Sequence, residues 1–413
     1  MMYISKGSKF LFLLIYLLFS AVGSIVFAQV NKTDTLKQST DSVHQMDAAD
    51  YYMLITKKSL RPHLDSSKIK SLGPFYSPFI YPGYALVTRY LVGLACNVSF
   101  YTYRDDSAKI SSILIDNVYT QYNQYFTIIN SNIWTPHEKL NLIGDWRFYE
   151  FPTTTYGLGS KTTLSDGVGV DYSQIKINEV ALWKIADNLS AGLGYNFNYH
   201  WSISETKNSE SDTSDLDRYG FNSKSYSSGI SLNIQYDNIL NSNNPRNGTF
   251  ANLQVGNNLR ILGSDTNWES LLFDGRQYIP LSKKSGNVLA FWTYDWFTLS
   301  GKPPYFDLPT TGSDAYDNTA RGYAEGRFKG LNWIYAEVEY RFRILNNGFL
   351  GGVLFSNAST LTEWPSNKFE RINPGNGFGL RIKMNKHSDT NLCVDYGFGT
   401  GTQGFAFNLN EVF

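Results

Sequence analysis

Apolar and polar residues alternate along much of the chain. Between Leu189 and Trp201 the odd positions are apolar or aromatic, and the even positions are Ser, Gly, Asn or His. The same period of two returns at 226–237 and at 333–344. Because successive side chains of a strand point to opposite faces, each run predicts a strand with one apolar and one polar face.

The length of these runs separates two all-β architectures. A soluble β-sandwich also alternates, but its strands are usually about five or six residues long. The runs here reach 11 to 15 residues, and a tilted strand needs about 9–11 to cross a bilayer. Sixteen such runs fall within residues 74–413, and bacterial barrels have even strand numbers. We therefore predict an all-β fold, a transmembrane antiparallel β-barrel of 16 strands.

The lengths of the segments between the runs predict which end of the barrel faces the periplasm and which faces outward. Short connections, such as 282–285, are expected on the periplasmic side, and the long segments 204–224, 301–330 and 359–375 on the outside. The predicted first strand, 74–81, contains Pro74 and Pro78, each of which removes a ladder donor. The predicted last strand, 404–413, is apolar and ends on Phe413. These features predict a weak lateral seam between the two strands, although the prolines could instead mark a poorly ordered edge.

The N-terminus predicts where the protein is located, and the composition bears on its partners. Lys6 and Lys9 precede an apolar run and a small residue, Ala28, which predicts a signal peptide at 1–28 cleaved after Ala28 and therefore export to the outer membrane. An uncleaved anchor is the alternative. Residues 29–73 are polar and patternless, and we expect a flexible periplasmic segment. Aromatic residues make up 16% and charged residues 17%, and Lys plus Arg equals Asp plus Glu at 36 each. This balance gives no reason to expect nucleic acid as a partner.

Candidate catalytic chemistry is sparse. Two cysteines, Cys96 and Cys393, are expected to be free thiols. The five histidines are scattered without metal-ligand spacing, so no metal and no cofactor are expected. His200 faces the lumen by its parity, but no serine motif accompanies it, and we interpret it as a solvated wall residue. We do not expect an enzyme.

One constellation carries more specific information. The longest outward segment contains Arg321-Gly322-Tyr323, and Glu339-Tyr340-Arg341 follows on the next strand. Here the chain resembles the BamA/TamA (bacterial surface antigen) superfamily of outer-membrane β-barrels. Three shorter stretches, 156–159, 244–250 and 377–381, also resemble motifs of that superfamily.

The resemblance implies that an arginine–carboxylate contact holds the loop inside the barrel, and we call this contact the loop lock. In the superfamily this loop folds into the lumen, so Arg321 would dock on Glu339, Gly322 would allow a sharp turn, and Tyr323 would pack on the inner wall. Where relatives commonly carry a second lumenal Asp, this chain has Asn357. The lock would then be weaker, or Glu337 would take the second position.

The resemblance also implies a role. Relatives usually carry POTRA domains of about 75 residues before the barrel, and only about 45 residues separate Gln29 from Pro74. We expect a member without its own POTRA domains, which acts in outer-membrane protein assembly, insertion or translocation. It would sit in outer-membrane lipid and depend on a periplasmic or outer-membrane protein partner for client handover, with the seam as a lateral gate. A passive, porin-like diffusion channel is the main alternative, and an outer-membrane lipid-modifying enzyme is a weaker one.

Overall fold

The computed structural model describes residues 45–56, 72–85, 89–150, 152–206, 213–220, 222–282 and 286–413. The predicted signal peptide, 1–28, and most of the segment 29–73 lie outside the described residues. Within the described ranges, no helix has both the length and the apolar character needed to cross a membrane.

Strands dominate the described residues. They are β1 Phe75–Ala85, β2 Arg89–Phe100, β3 Ser111–Thr120, β4 Tyr125–Trp134, β5 Leu140–Glu150, β6 Thr153–Thr155, β7 Val168–Ala186, β8 Leu189–Thr206, β9 Ser225–Asp237, β10 Gly248–Asn258, β11 Trp268–Pro280, β12 Val288–Gly301, β13 Asn332–Arg343, β14 Leu350–Glu363, β15 Lys368–Phe369, β16 Asn373–Asn385, β17 Thr390–Gly399 and β18 Thr402–Leu409. Two short helices are α1 Ala48–Ile55 and α2 Asp215–Gly220, with 3-10 turns at Pro136–Glu138, Leu164–Asp166, Arg260–Leu262 and Tyr305–Asp307.

The long strands form an antiparallel meander. Each pairs with the strand before it and the strand after it in the chain, from β1–β2 to β17–β18. The short β6 continues β5 along β7, and β15 pairs with the far end of β14. Apart from these two, the described strands number sixteen, so the predicted fold class and strand number are confirmed.

The two faces of the sheet differ as the alternation predicts. On β9, Ile230, Leu232 and Ile234 are 50–62% exposed, whereas Ser231 and Asn233 between them are at most 4% exposed. Apolar side chains that face outward are stable only against lipid, because a wide exposed apolar band in water favours association. The polar face lines the lumen.

The two ends of the barrel are built differently. At the end that carries the long loops, an apolar cluster covers the opening, and its buried members include Leu158, Leu216, Tyr219, Tyr305 and Leu308. We call this the long-loop end, and the opposite end the short-turn end. The connection predicted at 359–375 is shorter than expected, because β14 continues to Glu363 and β16 begins at Asn373.

Helix α1 lies at the short-turn end. Asp50 of α1 forms an ion pair with Lys386, in which Oδ2 of Asp50 lies 2.7 Å from Nζ of Lys386. Lys386 lies in the turn between β16 and β17. The ring of Tyr51 lies 3.9 Å from that of Phe349, in the turn before β14. Residues 45–56 are therefore fixed to the rim of the barrel.

The sequence-based bounds of the first and last strands were wrong. β1 is not short, because it runs from Phe75 to Ala85 and pairs with β2 along its whole length, with Pro78 opposite Cys96. An edge strand tolerates proline on its unpaired side. β18 ends at Leu409 rather than at Phe413.

Candidate functional site

The connection between β12 and β13, residues 302–331, lies in the lumen, and we call it the lock loop. The side chain of Arg321 in this loop is 3% exposed. Its guanidinium donates to Glu337 and Glu339 on β13 and, at 2.5 Å, to Asp395 on β17. All three carboxylates are at most 1% exposed. One arginine fork thus ties the loop to two separate parts of the barrel wall.

The residues on either side of Arg321 fit this close approach. Gly322 has a φ of +103°, and a Cβ atom there would lie 2.9–3.0 Å from the backbone of Phe398. Any side chain would therefore force the loop away from β17. The hydroxyl of Tyr323 donates to the carbonyl of Pro374 at 2.7 Å and accepts from the amide of Thr400 at 3.1 Å. These bonds hold the loop against the strands where the resemblance placed it.

Asn357 acts as a donor in this site. Its amide Nδ2 donates to the carbonyl of Arg321 at 3.0 Å and to Glu337 at 3.3 Å. The sequence left two alternatives open, a weaker lock or Glu337 in the second acidic position. In the structure both Glu337 and Asp395 accept from Arg321, in addition to Glu339. The third carboxylate on β17 leaves Asn357 free to bind the loop backbone.

The charges extend beyond the arginine fork. Arg341 donates to Glu339 at 2.6 Å, Arg381 donates to Asp395 at 2.5 Å, and Arg381 also donates to Glu411 at 2.8 Å. We call this the lumenal ion network; its members are Arg321, Arg341, Arg381, Glu337, Glu339, Asp395 and Glu411. Buried charges of both signs compensate each other here, and losing one member leaves its partners unpaired.

The lock loop is also bound on the opposite wall. Arg147 on β5 donates to the carboxylate of Asp317 and to the carbonyl of Asp314, each at 2.6 Å. Asn130 on β4 donates to the carbonyl of Ala315 at 2.9 Å. The loop therefore crosses the lumen from β4–β5 to β13–β17 and obstructs it.

A third attachment joins the loop to β8 and β9. Asp307 accepts from Ser227 at 2.6 Å and from Asn198, and burial raises the pKa of Asp307 to about 6. Lys329, near the other end of the loop, is 6% exposed and lies over the ring of Tyr305. Burial lowers the pKa of Lys329 to about 8, against the opposing charges of Asp307 and Glu325. No sequence pattern indicates these contacts, because they depend on the path of a long loop.

The residues after β18 also enter the lumen. The ring of Phe413 lies 5.0 Å from that of Trp292 on β12, and its main-chain oxygen accepts from Arg341 at 3.0 Å. Asn318 of the lock loop donates to the carbonyl of Val412 at 3.0 Å. The assignment of Phe413 to the lateral seam was therefore wrong, because the chain leaves the sheet at Asn410, whose φ is +75°.

The seam itself is an overlap. No ladder joins β1 to β18 among the described residues. Instead, inward-facing Tyr81 and Ala95 pack in one buried cluster with outward-facing Leu392 and Leu409, and the ring of Tyr81 lies 5.9 Å from that of Phe407. The inner face of the first strands thus covers part of the outer face of the last ones. Pro74 directly precedes β1 and Pro78 lies within it.

Two further predictions concern catalysis. His200 does face inward, but it is 1% exposed and not solvated, and its Nδ1 lies 3.4 Å from the hydroxyl of Ser225. Within the described ranges, no group of His, Cys, Asp and Glu has the arrangement of a metal site. Cys96 and Cys393 are free thiols.

The fold and the site define a class: a membrane β-barrel whose long loop is held inside the lumen by a buried arginine. Residues 112–413 match the family model of the Omp85 superfamily domain. The chain belongs to the Omp85 superfamily. The superfamily points to a location in the bacterial outer membrane and, in general, to a role in protein assembly or translocation.

Two solved structures share this fold. BamA from Haemophilus ducreyi, lacking POTRA domains 1–3, is 14% identical with a TM-score of 0.50, over 81% of this chain and 69% of that one. CdiB from Acinetobacter baumannii is 13% identical with a TM-score of 0.50, over 82% of this chain and 60% of that one. The chain thus spans less than two thirds of the CdiB structure. A comparison with curated proteins finds no match.

Proposed function

We propose that this protein assembles, inserts or translocates other proteins at the outer membrane, with the lock loop as its closed gate and the β1–β18 seam as its lateral opening. The observation that carries the proposal is the binding of Arg321 to Glu337, Glu339 and Asp395 in a lumen that the loop crosses. The unpaired seam supports it, because a strand edge without a ladder can accept an incoming strand.

The partner belongs to the same proposal. Handover of a client would come from a separate periplasmic or outer-membrane protein that contacts the short-turn end. Helix α1 lies on that rim, where Tyr52 is 60% and Ile55 80% exposed. Site-specific crosslinking from Tyr52, with exposed Ile261 at the long-loop end as the control position, would identify such a partner.

The direct test is depletion of the protein in its own cells. The proposal expects other outer-membrane barrels or a secreted protein to fall in abundance, and wild-type protein to restore them. The variant Arg321→Ala should restore them less well than Arg218→Ala, which changes an arginine whose side chain is 58% exposed. If no barrel and no secreted protein changes on depletion, the proposal is wrong.

A passive channel makes the opposite electrical prediction. The three attachments of the lock loop favour small or flickering currents in planar bilayers, and opening of the pore when Arg321 is replaced. Steady, large conductance by the wild-type protein would favour the porin-like alternative. We propose no catalytic step, since Ser225 and His200 are both buried.

A further inference from the structure

The two strand edges at the seam can be compared by the backbone groups that each one presents. On β2, the carbonyl of Tyr90 accepts from the amide of Gln121, which follows β3. Even-numbered residues of β2 therefore point to β3 and odd-numbered ones to β1, and β1 pairs odd with odd. The even-numbered residues of β1 thus direct their backbone groups away from β2. In agreement, the carbonyl of Tyr76 accepts from the side-chain amide of Asn385 at 3.4 Å, on the side opposite β2.

Two prolines interrupt this free edge of β1. Pro78 and Pro82 are both even-numbered, and proline has no N–H to donate. Of the residues that face the free side between Tyr76 and Pro82, only Tyr76 and Ile80 keep a donor. A strand added here would leave two of its own carbonyls without a partner, and in lipid no water replaces the missing donors. Prolines on an edge are one of the ways in which proteins prevent strand addition.

The free edge of β18 has no such interruption. A two-residue turn joins β17 to β18, so Gly399 and Thr402 on either side of it exchange hydrogen bonds. Just beyond the strand, the amide of Asn410 also donates to Asn391 at the start of β17. Even-numbered residues of β18 therefore point to β17, and odd-numbered ones point away from it. The residues on this free edge are Gln403, Phe405, Phe407 and Leu409, and none of them is a proline.

The free edge of β18 is open toward the long-loop end and covered toward the short-turn end. Phe405 is 56% exposed, whereas Leu409 is 7% exposed. The cover is the inner face of the first strands, where the ring of Tyr81 lies 5.9 Å from that of Phe407. A strand could therefore begin to pair near Phe405, and pairing along the whole edge requires β1 and β2 to move off β18.

We propose that β18, and not β1, is the edge that receives a client, and that the client segment is a membrane β-strand with one apolar face. This inference rests on the proposed function, because it names the edge that would perform it. A strand added to β18 places alternate side chains beside Phe405 and Phe407, on the lipid side of the wall, so these side chains must be apolar. The lumenal ion network reaches the same strand, since Glu411 just beyond it binds Arg381.

Photocrosslinking from one position on each edge tests the choice. A benzoylphenylalanine replaces either Phe405 on β18 or Ile80 on β1, which are outward-facing and 56% and 70% exposed. The full protein is reconstituted into phospholipid vesicles with a synthetic peptide of residues 225–237, in which apolar and polar residues alternate. We expect the peptide to crosslink at position 405 several-fold more than at position 80, and a scrambled peptide to crosslink at neither. Equal or stronger crosslinking at position 80, or none at either position, would overturn the proposal.

Exchanging prolines between the edges gives a second test. Pro78→Thr combined with Pro82→Thr restores both donors of β1 and should raise crosslinking at position 80 several-fold. Phe407→Pro removes a donor from the free edge of β18 and leaves the ladder to β17 intact, so it should lower crosslinking at position 405 several-fold. Phe407→Leu keeps the donor and should not. Unchanged crosslinking in both proline exchanges would refute the assignment. If Phe407→Pro does not fold, the gain at position 80 decides alone.

The crosslinking can fail separately from the depletion experiment. It uses a peptide probe in vesicles, whereas depletion measures the role in cells. Loss of other barrels on depletion together with crosslinking mainly at position 80 would keep the role and overturn only the choice of edge. Crosslinking at position 405 without any effect of depletion would keep the receptive edge and overturn the role.

Discussion

Replacing Arg321 by Ala should weaken both the closure of the pore and the stability of the barrel. In the variant, Arg341 and Arg381 still contact Glu339 and Asp395. Glu337 loses its only ion pair among the described contacts and keeps hydrogen bonds from Tyr335 and Asn357. The lumenal ion network would then hold two arginines against four carboxylates, with Glu337 buried and unpaired.

The magnitude follows from that unpaired carboxylate. Removing one partner of a buried ion pair costs about 3–5 kcal/mol, mainly because the remaining charge is left uncompensated. Glu337 is 0% exposed at its side chain, so solvent gives little relief. We expect Arg321→Ala to lower the free energy of unfolding by about 3 kcal/mol or more. Adding Glu337→Gln should recover part of this loss, because it removes the stranded charge.

The assay combines urea unfolding in lipid vesicles with conductance in planar bilayers. Arg218→Ala is the matched control, since an exposed ion pair contributes only about 0–1 kcal/mol. If Arg321→Ala loses no more stability than Arg218→Ala, and its conductance equals that of the wild type, the lock as described is refuted. If Glu337→Gln does not restore stability in the double variant, the cost lies elsewhere in the network.

Three further changes test separate parts of the site. Asn357→Asp should destabilise the barrel in urea unfolding, because it removes a donor to the loop and places a second carboxylate beside Glu337; unchanged stability would contradict the donor role. Arg147→Met should raise conductance while leaving the Arg321 attachment in place, and an unchanged current would show that Asp317 needs no anchor. For Lys329, the folded pKa of about 8 lies below the ordinary value of 10.5. The unfolded chain therefore binds more protons between pH 8 and 10.5, and wild-type stability should rise with pH across that window relative to Lys329→Met; parallel curves would exclude the shift.

The sequence predicted the barrel because lipid imposes a simple rule on every strand. Each outward position must be apolar, and this produces a period of two that local inspection detects. The same parity placed Glu337 and Glu339 on the lumenal face of β13. Asp395 was missed, although Val394 and Tyr396 on either side of it point outward. The contact between Arg321 and Asp395 depends on the distance between β13 and β17 in the folded barrel. The alternation within one strand carries no information about that distance.

The end of β18 was predictable from one residue that was overlooked. Phe405, Phe407 and Leu409 face outward, and continuing the strand would place Glu411 on the same face. A charged side chain facing lipid is costly, so the strand should end before it. In the structure the chain turns at Asn410 and Glu411 pairs with Arg381. The overlap of the seam, by contrast, requires the two ends of the meander to pass each other, which no local pattern specifies.

The residues that hold the lock loop also hold the end of β18, which lies at the seam. Arg381 binds both Asp395, which holds the lock loop, and Glu411, which holds the end of β18. Asn318 of the loop contacts Val412 directly. Two residues before Glu411, Leu409 packs in the cluster that covers the seam. Release of the loop would remove charge partners from the residues that position β18, so the lock loop and the seam are joined by direct contacts rather than by a long path through the barrel.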